Sequence, residues 1–283
     1  MIPPADRARI RGQASIPEHL VGLMSAISGG EAFVVRDYLG FAKDPWVILI
    51  GYPLTGPFAA PVLGQALAEA LGEFRPVTLW FIAPEVPAPP GIRIAHLESD
   101  RYYTLDLDAF SPRSSLRRLT DRAARDLSLE RSRAITPQHE DAIAEFLARE
   151  RPSPRIEGLF RAMAQYVAQA ESAVVLTARD AEGAVSAFYV VDLEAHGFAT
   201  YVVGCHSKLH YVVGASDLLF LEMVALAREQ GKRTIHLGLG VNDGIRRFKE
   251  KWGGLPGLPY ELCEVRRGGV EAILPLLARL WGR

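Results

Sequence analysis

The stretch "SDLLFLEMVALAREQ", residues 216–230, constrains the fold more than any other part of the chain. Its apolar residues cover most of a helix circumference, so the helix must be buried against a sheet. Ser216 reads as its N-cap, and Gly231 falls just past its end. The helix lies between "GFATYVVG" and "TIHLGLG", two runs with the composition of strands. Strand, buried helix, strand is the building unit of an α/β chain.

The first half alternates in the same way. "EAFVVRD" and "WVILIGYPL" read as two strands forming a hairpin across a cluster of Gly, Lys, Asp and Pro. "PVLGQALAEALGEF" has helical spacing, "VTLWFIA" follows as a strand, "APEVPAPPG" is a proline-rich loop and "YYTLDL" is the last strand of this half. Next, "SPRSSLRRLTDRAARDLSLERSR" carries seven arginines against three acids, with Leu116, Leu119, Ala123 and Leu127 near helical spacing and Ser111–Pro112 as its start. It reads either as a solvated helix joining two domains or as a surface facing a polyanion.

The second half opens with two amphipathic helices, "TPQHEDAIAEFLARE", capped by Thr136, and "RIEGLFRAMAQYVAQA", with Ile156, Leu159, Phe160, Met163 and Val167 on one face. Two strands around the turn "DAEG" follow, then the strand–helix–strand unit, a short basic helix, the strand "YELCEVR" and the C-terminal helix "VEAILPLLARLW". The two halves share an order of elements without a residue-level repeat, which predicts two related α/β units with the arginine-rich helix at their seam.

The chain has 283 residues, 49% of them apolar, enough for one large core or two modest ones. A formal charge of −1 argues against a protein built to coat nucleic acid or an anionic membrane, although local basic patches remain open. Two cysteines, Cys205 and Cys263, without C-x-x-C spacing, support neither a disulfide framework nor a zinc site and fit a reducing cytoplasm. No signal-peptide core is visible, and no apolar run reaches the ~20 residues a membrane helix needs. The expectation is a soluble, cytoplasmic protein with no metal.

Ligands of α/β sheets bind beyond the carboxyl ends of the strands. "YVVGCHSKLHYVVGASD" leads from such an end into the buried helix, and the amides from about Gly214 to Leu218 would be free donors at the positive end of its dipole. A phosphate would be stabilised there, around Gly214, Ala215 and Ser216. Gly238 and Gly240 end the following strand and permit close approach of a ligand, or simply serve a turn. Tyr201, Tyr211, His206 and Asp243 lie near the strand ends as acid and base candidates. Cys205 beside His206 suggests a nucleophilic dyad, but adjacent strand residues point apart.

In "HLGLGVNDGIRRFKEKWGG", residues 236–254, four cations thread between Phe248 and Trp252. The pattern suits an amphipathic surface helix whose stems cover apolar surface. Its position after a glycine-ended strand points instead to Arg246, Arg247 and Lys249, with Asn242 just ahead of them, gripping the phosphates of a ligand, and to Phe248 and Trp252 as anchors.

The run "GASDLLFLEMVALAREQGKRTIHLGLGVNDGIRRFKEKWGG" resembles the closing half of the GNAT acyltransferase fold. Arg228 to Gly231, Leu237 to Gly240 and Arg246 to Trp252 are similar to the branch holding the Fem-type aminoacyltransferases and the soluble domain of phosphatidylglycerol lysyltransferases. The resemblance implies two GNAT-like mixed-sheet units in tandem, the second more complete. Residues 1–110 would be the first unit, 111–133 an arginine-rich linker helix and 134–283 the acyltransferase unit. It implies acyl transfer to an amine or hydroxyl acceptor, with the acyl arm lying where "GFATYVVG" and "TIHLGLG" splay apart and the amides of Val202, Val203 and Gly204 orienting its carbonyl. The donor would be acetyl-CoA or another acyl-CoA, or an aminoacyl-tRNA as in many Fem-type proteins. A non-catalytic binding module is the alternative from another class. The family's phosphate loop, R/Q-x-x-G-x-G/A, keeps only its first glycine in Tyr211, Val212, Val213, Gly214, Ala215 and Ser216.

Overall fold

Each of the two compact units in the structure, a computed structural model describing residues 2–86 and 94–266, is organised around one parallel strand pair joined by an apolar helix. Among the described residues, the first unit comprises those up to Tyr102, Leu239–Val241 and those from Pro256 to Arg266. The second comprises Tyr103–Gly238 and Asn242–Leu255.

The first unit begins with α1 (Pro4–Gln13), a 3-10 turn (Pro17–His19) and α2 (Val21–Ser28). Then come β1 (Glu31–Val35), β2 (Tyr38–Lys43), β3 (Trp46–Ile50), α3 (Ala60–Phe74), β4 (Thr78–Ala83) and β5 (Ile94–Asp106). β3 and β4 are parallel, as a crossover through α3 requires, and Leu63, Ala66, Ala70 and Leu71 of α3 are buried. The hairpin expected between "EAFVVRD" and "WVILIGYPL" is not formed directly, because β2 lies between them and pairs antiparallel with both. Gly40 gave β2 the look of a turn. Its function is packing: a Cβ there would stand 2.3 Å from the Phe33 ring, while Leu39 and Phe41 beside it are fully buried.

The second unit takes the end of β5, then α4 (Ser114–Asp126), β6 (Ser128–Ser132), α5 (Pro137–Glu150), α6 (Pro154–Arg161) and α7 (Met163–Gln169). It continues with β7 (Ala173–Arg179), β8 (Val185–Asp192), β9 (Phe198–His206), α8 (Ala215–Glu229), β10 (Thr234–Leu239) and α9 (Asp243–Lys251). β11 (Leu255–Arg266) ends the described chain. The strand order in this unit is β5, β10, β9, β8, β7, β6, with β10 and β9 parallel and β9, β8, β7 and β6 successively antiparallel. In the first unit the order is β1, β2, β3, β4, β11, β5.

Several expectations are corrected. The units divide inside β5, not at residues 111–133, because a 13-residue strand is long enough to supply both. α4 is no linker: Leu116 and Ala123 belong to the second unit's core. It starts after Arg113 rather than Ser111, and the end of the arginine-rich stretch is β6, paired antiparallel with β7. The strand expected to close the second unit, "YELCEVR", pairs with β4 in the first, a non-local choice that local pattern cannot specify. "RIEGLFRAMAQYVAQA" forms two helices parted at Ala162. The expected C-terminal helix, and most of the proline-rich loop, lie outside the described residues.

Candidate functional site

The registered pairs between β9 and β10 are Thr234 with Phe198, Ile235 with Ala199 and His236 with Thr200. β9 continues to His206 and β10 to Leu239, so the strands part after Thr200 and His236. At the same point the β8–β9 register shifts: Val190 faces Val203 but Val191 faces Tyr201, leaving Val202 as the extra residue of a bulge. A bulge residue has no ladder partner, which frees backbone polar groups at the opening. Val202, Val203 and Gly204 are thus placed together on the parting strand.

Gly204 is fixed by packing. A Cβ there would meet Tyr201 Oη at 2.3 Å and the Tyr189 ring at 2.5 Å. Tyr189 is itself held, since its hydroxyl donates to the Ser216 carbonyl at 2.7 Å. β9, β8 and the start of α8 are tied together by these tyrosines. Burial raises the Tyr201 pKa well above its ordinary value, so its hydroxyl stays protonated and can serve as a hydrogen-bond donor.

Beyond β9 a cavity of about 290 Å³ is lined by His206, Lys208, Tyr211, Val212, Gly214, Ala215, Ser216 and Asp217. Gly214, not Ser216, is the N-cap of α8; with φ at 87° it adopts a conformation that favours glycine. The Ala215 amide donates to Val212 O at 3.2 Å and the Leu218 amide to Gly214 O at 2.8 Å, so the expected row of donors shrinks to Gly214, Ser216 and Asp217. His206 is half-buried; burial, then Arg149 and Lys208, lower its pKa below 6.5 and leave it neutral at pH 7. Its ring centroid is 5.9 Å from that of the exposed Tyr211. The neutral imidazole provides a proton acceptor at the end of β9, and the Tyr201 hydroxyl a hydrogen-bond donor farther back on the same strand. Cys205 is buried and its thiol is pushed up to about 12, so it is not a thiolate partner for His206.

The other expected residues lie apart from this cavity. Asp243 pairs with Arg246 three residues on, which holds its carboxyl below the usual range and spends the Arg246 charge locally. Asn242 accepts from the Ile245 amide at 3.0 Å and acts as the cap of α9. Arg247 is exposed. Lys249 turns inward: it is 5% exposed, its ammonium lies 5.7 Å from the Tyr103 ring centroid, and its charge adds to burial in pushing His236 down to about 3. None of these five lines the cavity. Phe248 and Trp252 do anchor the segment. Trp252 stacks on Phe220 at 4.9 Å between centroids, and Phe248 meets the same ring edge-on at 5.9 Å.

Sequence reasoning missed Asp217, Lys208 and Lys251. Asp217 accepts from Trp252 Nε1 at 2.9 Å and pairs with Lys251 Nζ at 2.5 Å. Its place in the first turn of a helix was a legible signal, since a carboxylate there meets the dipole favourably. The link to Trp252 spans 35 residues and left no local trace.

An acetyltransferase (GNAT) domain model matches residues 111–282, more than half of the chain. The chain belongs to the GNAT acetyltransferase family. Solved structures show the same tandem GNAT architecture. The C-terminal domain of a protein described as a lysylphosphatidylglycerol synthetase from Agrobacterium fabrum is 17% identical, with a TM-score of 0.58 over 98% of this chain and 95% of that one. FemX is 12% identical, with a TM-score of 0.55 over 92% of this chain and 96% of that one. A tandem GNAT protein from the clavulanic acid biosynthesis pathway is 14% identical, with a TM-score of 0.51 over 81% and 78%. No curated protein matches the sequence. In this GNAT protein, no described helix is long and apolar enough to cross a membrane.

Proposed function

We propose that the protein transfers an acyl group from an acyl-CoA to an amine or hydroxyl acceptor at the end of β9. The observation that carries this reading is the parting of β9 from β10 at Thr200 and His236, with the Val202 bulge at the opening and the start of α8 beyond it. An acyl carbonyl laid along β9 would meet the backbone at Val202 to Gly204, and the same donors would stabilise the oxyanion of a tetrahedral intermediate. His206 would accept the acceptor's proton, and the Tyr201 hydroxyl would hydrogen-bond the leaving group. Donor phosphate would rest on the Ser216 and Asp217 amides near Lys208, where a helix N-terminus favours an anion. Cys205 and Cys263, both free and buried, suit the reducing cytoplasm in which such a donor is found.

One observation supports a second reading, an aminoacyl-tRNA donor. The Asp217 carboxylate occupies the first turn of α8, where its negative charge would oppose a pyrophosphate. One similar structure is also named for a lysylated lipid product.

Melting curves with acetyl-CoA, longer acyl-CoAs and total tRNA separate the readings. A ligand at ~100 times its dissociation constant adds about 2.7 kcal/mol of stability. Stabilisation by an acyl-CoA supports the first reading, and salt-sensitive stabilisation by tRNA alone supports the second. A melting temperature unmoved by any of them overturns both.

A further inference from the structure

Beside its cavity the second unit presents exposed residues, Leu209, Val213 and the arginines of α4, that the proposed acyl transfer does not use. The loop between β9 and α8 exposes Leu209 at 82%, Val213 at 60% and Tyr211 at 53%. It is held from below: Ser207 Oγ and the Lys208 amide donate to the Glu145 carboxylate at 2.8 and 2.6 Å, and the Val212 amide donates to Ser186 Oγ at 3.2 Å. Three large apolar side chains within five residues are therefore kept in water by a fixed loop, and an exposed apolar cluster of this kind marks an interaction site. Lys208 adds a cation, its ammonium 5.2 Å from the Tyr211 ring centroid.

α4 adjoins this loop. A Cβ on Gly214 would stand 3.1 Å from Ala123 Cβ and 3.4 Å from Leu119, so the middle of α4 touches the loop's end. Leu116, Thr120 and Ala123 face the core. At 3.6 residues per turn, Arg117, Arg118, Arg122 and Arg125 fall on the opposite side. All four are exposed, and among the described residues none forms an ion pair. From Arg113 to Asp126, five arginines face two aspartates, a concentrated positive patch on a chain of net charge −1.

We infer that α4 and the 207–214 loop form a docking face for an anionic lipid bilayer. The arginines pair with headgroup phosphates, and Leu209, Tyr211 and Val213 enter the interfacial layer. A nucleic-acid backbone would use the arginines but offer nothing to Leu209 and Val213. An apolar groove on a protein would use the loop but leave the arginines without partners. Only an anionic, amphiphilic surface uses both. Docking is peripheral and reversible, and it does not rest on the acyl-transfer reading.

The test is sedimentation with vesicles of phosphatidylcholine alone and of phosphatidylcholine mixed with phosphatidylglycerol, at low salt and at ~1 M, where the Debye length falls to about 3 Å. The protein should pellet with the mixed vesicles at low salt and be released at high salt. Arg117→Gln with Arg118→Gln, Arg122→Gln and Arg125→Gln should weaken binding at least tenfold, since each cation near such a surface contributes about fivefold. Leu209→Ser with Val213→Ser should weaken it severalfold at constant charge. Both variants alter exposed positions, and melting curves like the parent's verify folding. Equal binding to neutral and mixed vesicles, or binding unchanged in either variant, overturns the inference. So does capture by total tRNA through the same arginines without vesicle binding, which would make the face one for nucleic acid.

Discussion

Trp252 Nε1 donates to Asp217 Oδ1 at 2.9 Å in the interior of the second unit, and this bond ties the end of α9 to the start of α8. The same carboxylate oxygen takes Lys251 Nζ at 2.5 Å. The basic helix is therefore fastened to the helix that borders the cavity by one indole and one ammonium.

Trp252→Phe keeps the stacking on Phe220 and Phe110 but leaves a buried carboxylate short of a donor. The expected cost is ~1–3 kcal/mol, measured as a lower urea midpoint at unchanged slope. A midpoint equal to the parent's would mean that the indole bond contributes nothing.

Gly204→Ala should disturb both stability and chemistry. The new Cβ overlaps Tyr201 Oη and the fixed Tyr189 ring, which is an overpacking cost of ~1–3 kcal/mol. Thermal unfolding should show the loss, and any transfer activity should fall further than stability alone explains. Unaltered melting would show that the two tyrosines move aside freely.

Stability should fall as pH drops from 6.5. Burial pushes His19 and His139 down to about 4, and burial with the Lys249 charge pushes His236 down to about 3. Each takes up a proton on unfolding before it does so folded, so the unfolded state binds more protons between pH 6.5 and about 4 and gains on the native one. Urea midpoints should be level above pH 6.5 and decline steadily below it. A flat profile down to about pH 5 would contradict buried, neutral histidines.

Asn242→Ala removes the cap of α9 and should cost about 1 kcal/mol without changing the affinity for a donor. Isothermal titration with whichever donor stabilises the protein separates the two roles. A loss of affinity beyond the loss of stability would return Asn242 to the binding site.

Much of the architecture was legible in the residues. The circumferentially apolar α8, with Gly231 past its end, formed as read, and so did α3, β7, β8, β9 and β10. Periodicity and end signals are local, and these elements are specified locally. β2 was missed because Gly40 and Lys43 imitate a turn, whereas the reason for Gly40 is the Phe33 ring packed over it.

The site was legible in part. Element order alone pointed to the loop before α8, which lines the cavity, whereas Val202 to Gly204 came from the resemblance and lie at the β9 bulge, outside the cavity lining. The roles within the basic stretch could not. Spacing made Arg246, Arg247 and Lys249 equivalent cations, but the fold pairs the first with Asp243, leaves the second in water and buries the third against Tyr103.

By itself the sequence determined most of the helices and strands, that one helix had to be buried, and which family the closing half resembles, because each depends on neighbours within a few turns. Only the tertiary structure decided that the units divide inside β5, that β11 pairs with β4, and that Asp217 holds Trp252. Those outcomes join residues far apart in the chain, and the packing that selects them exists only once the sheets and helices have come together.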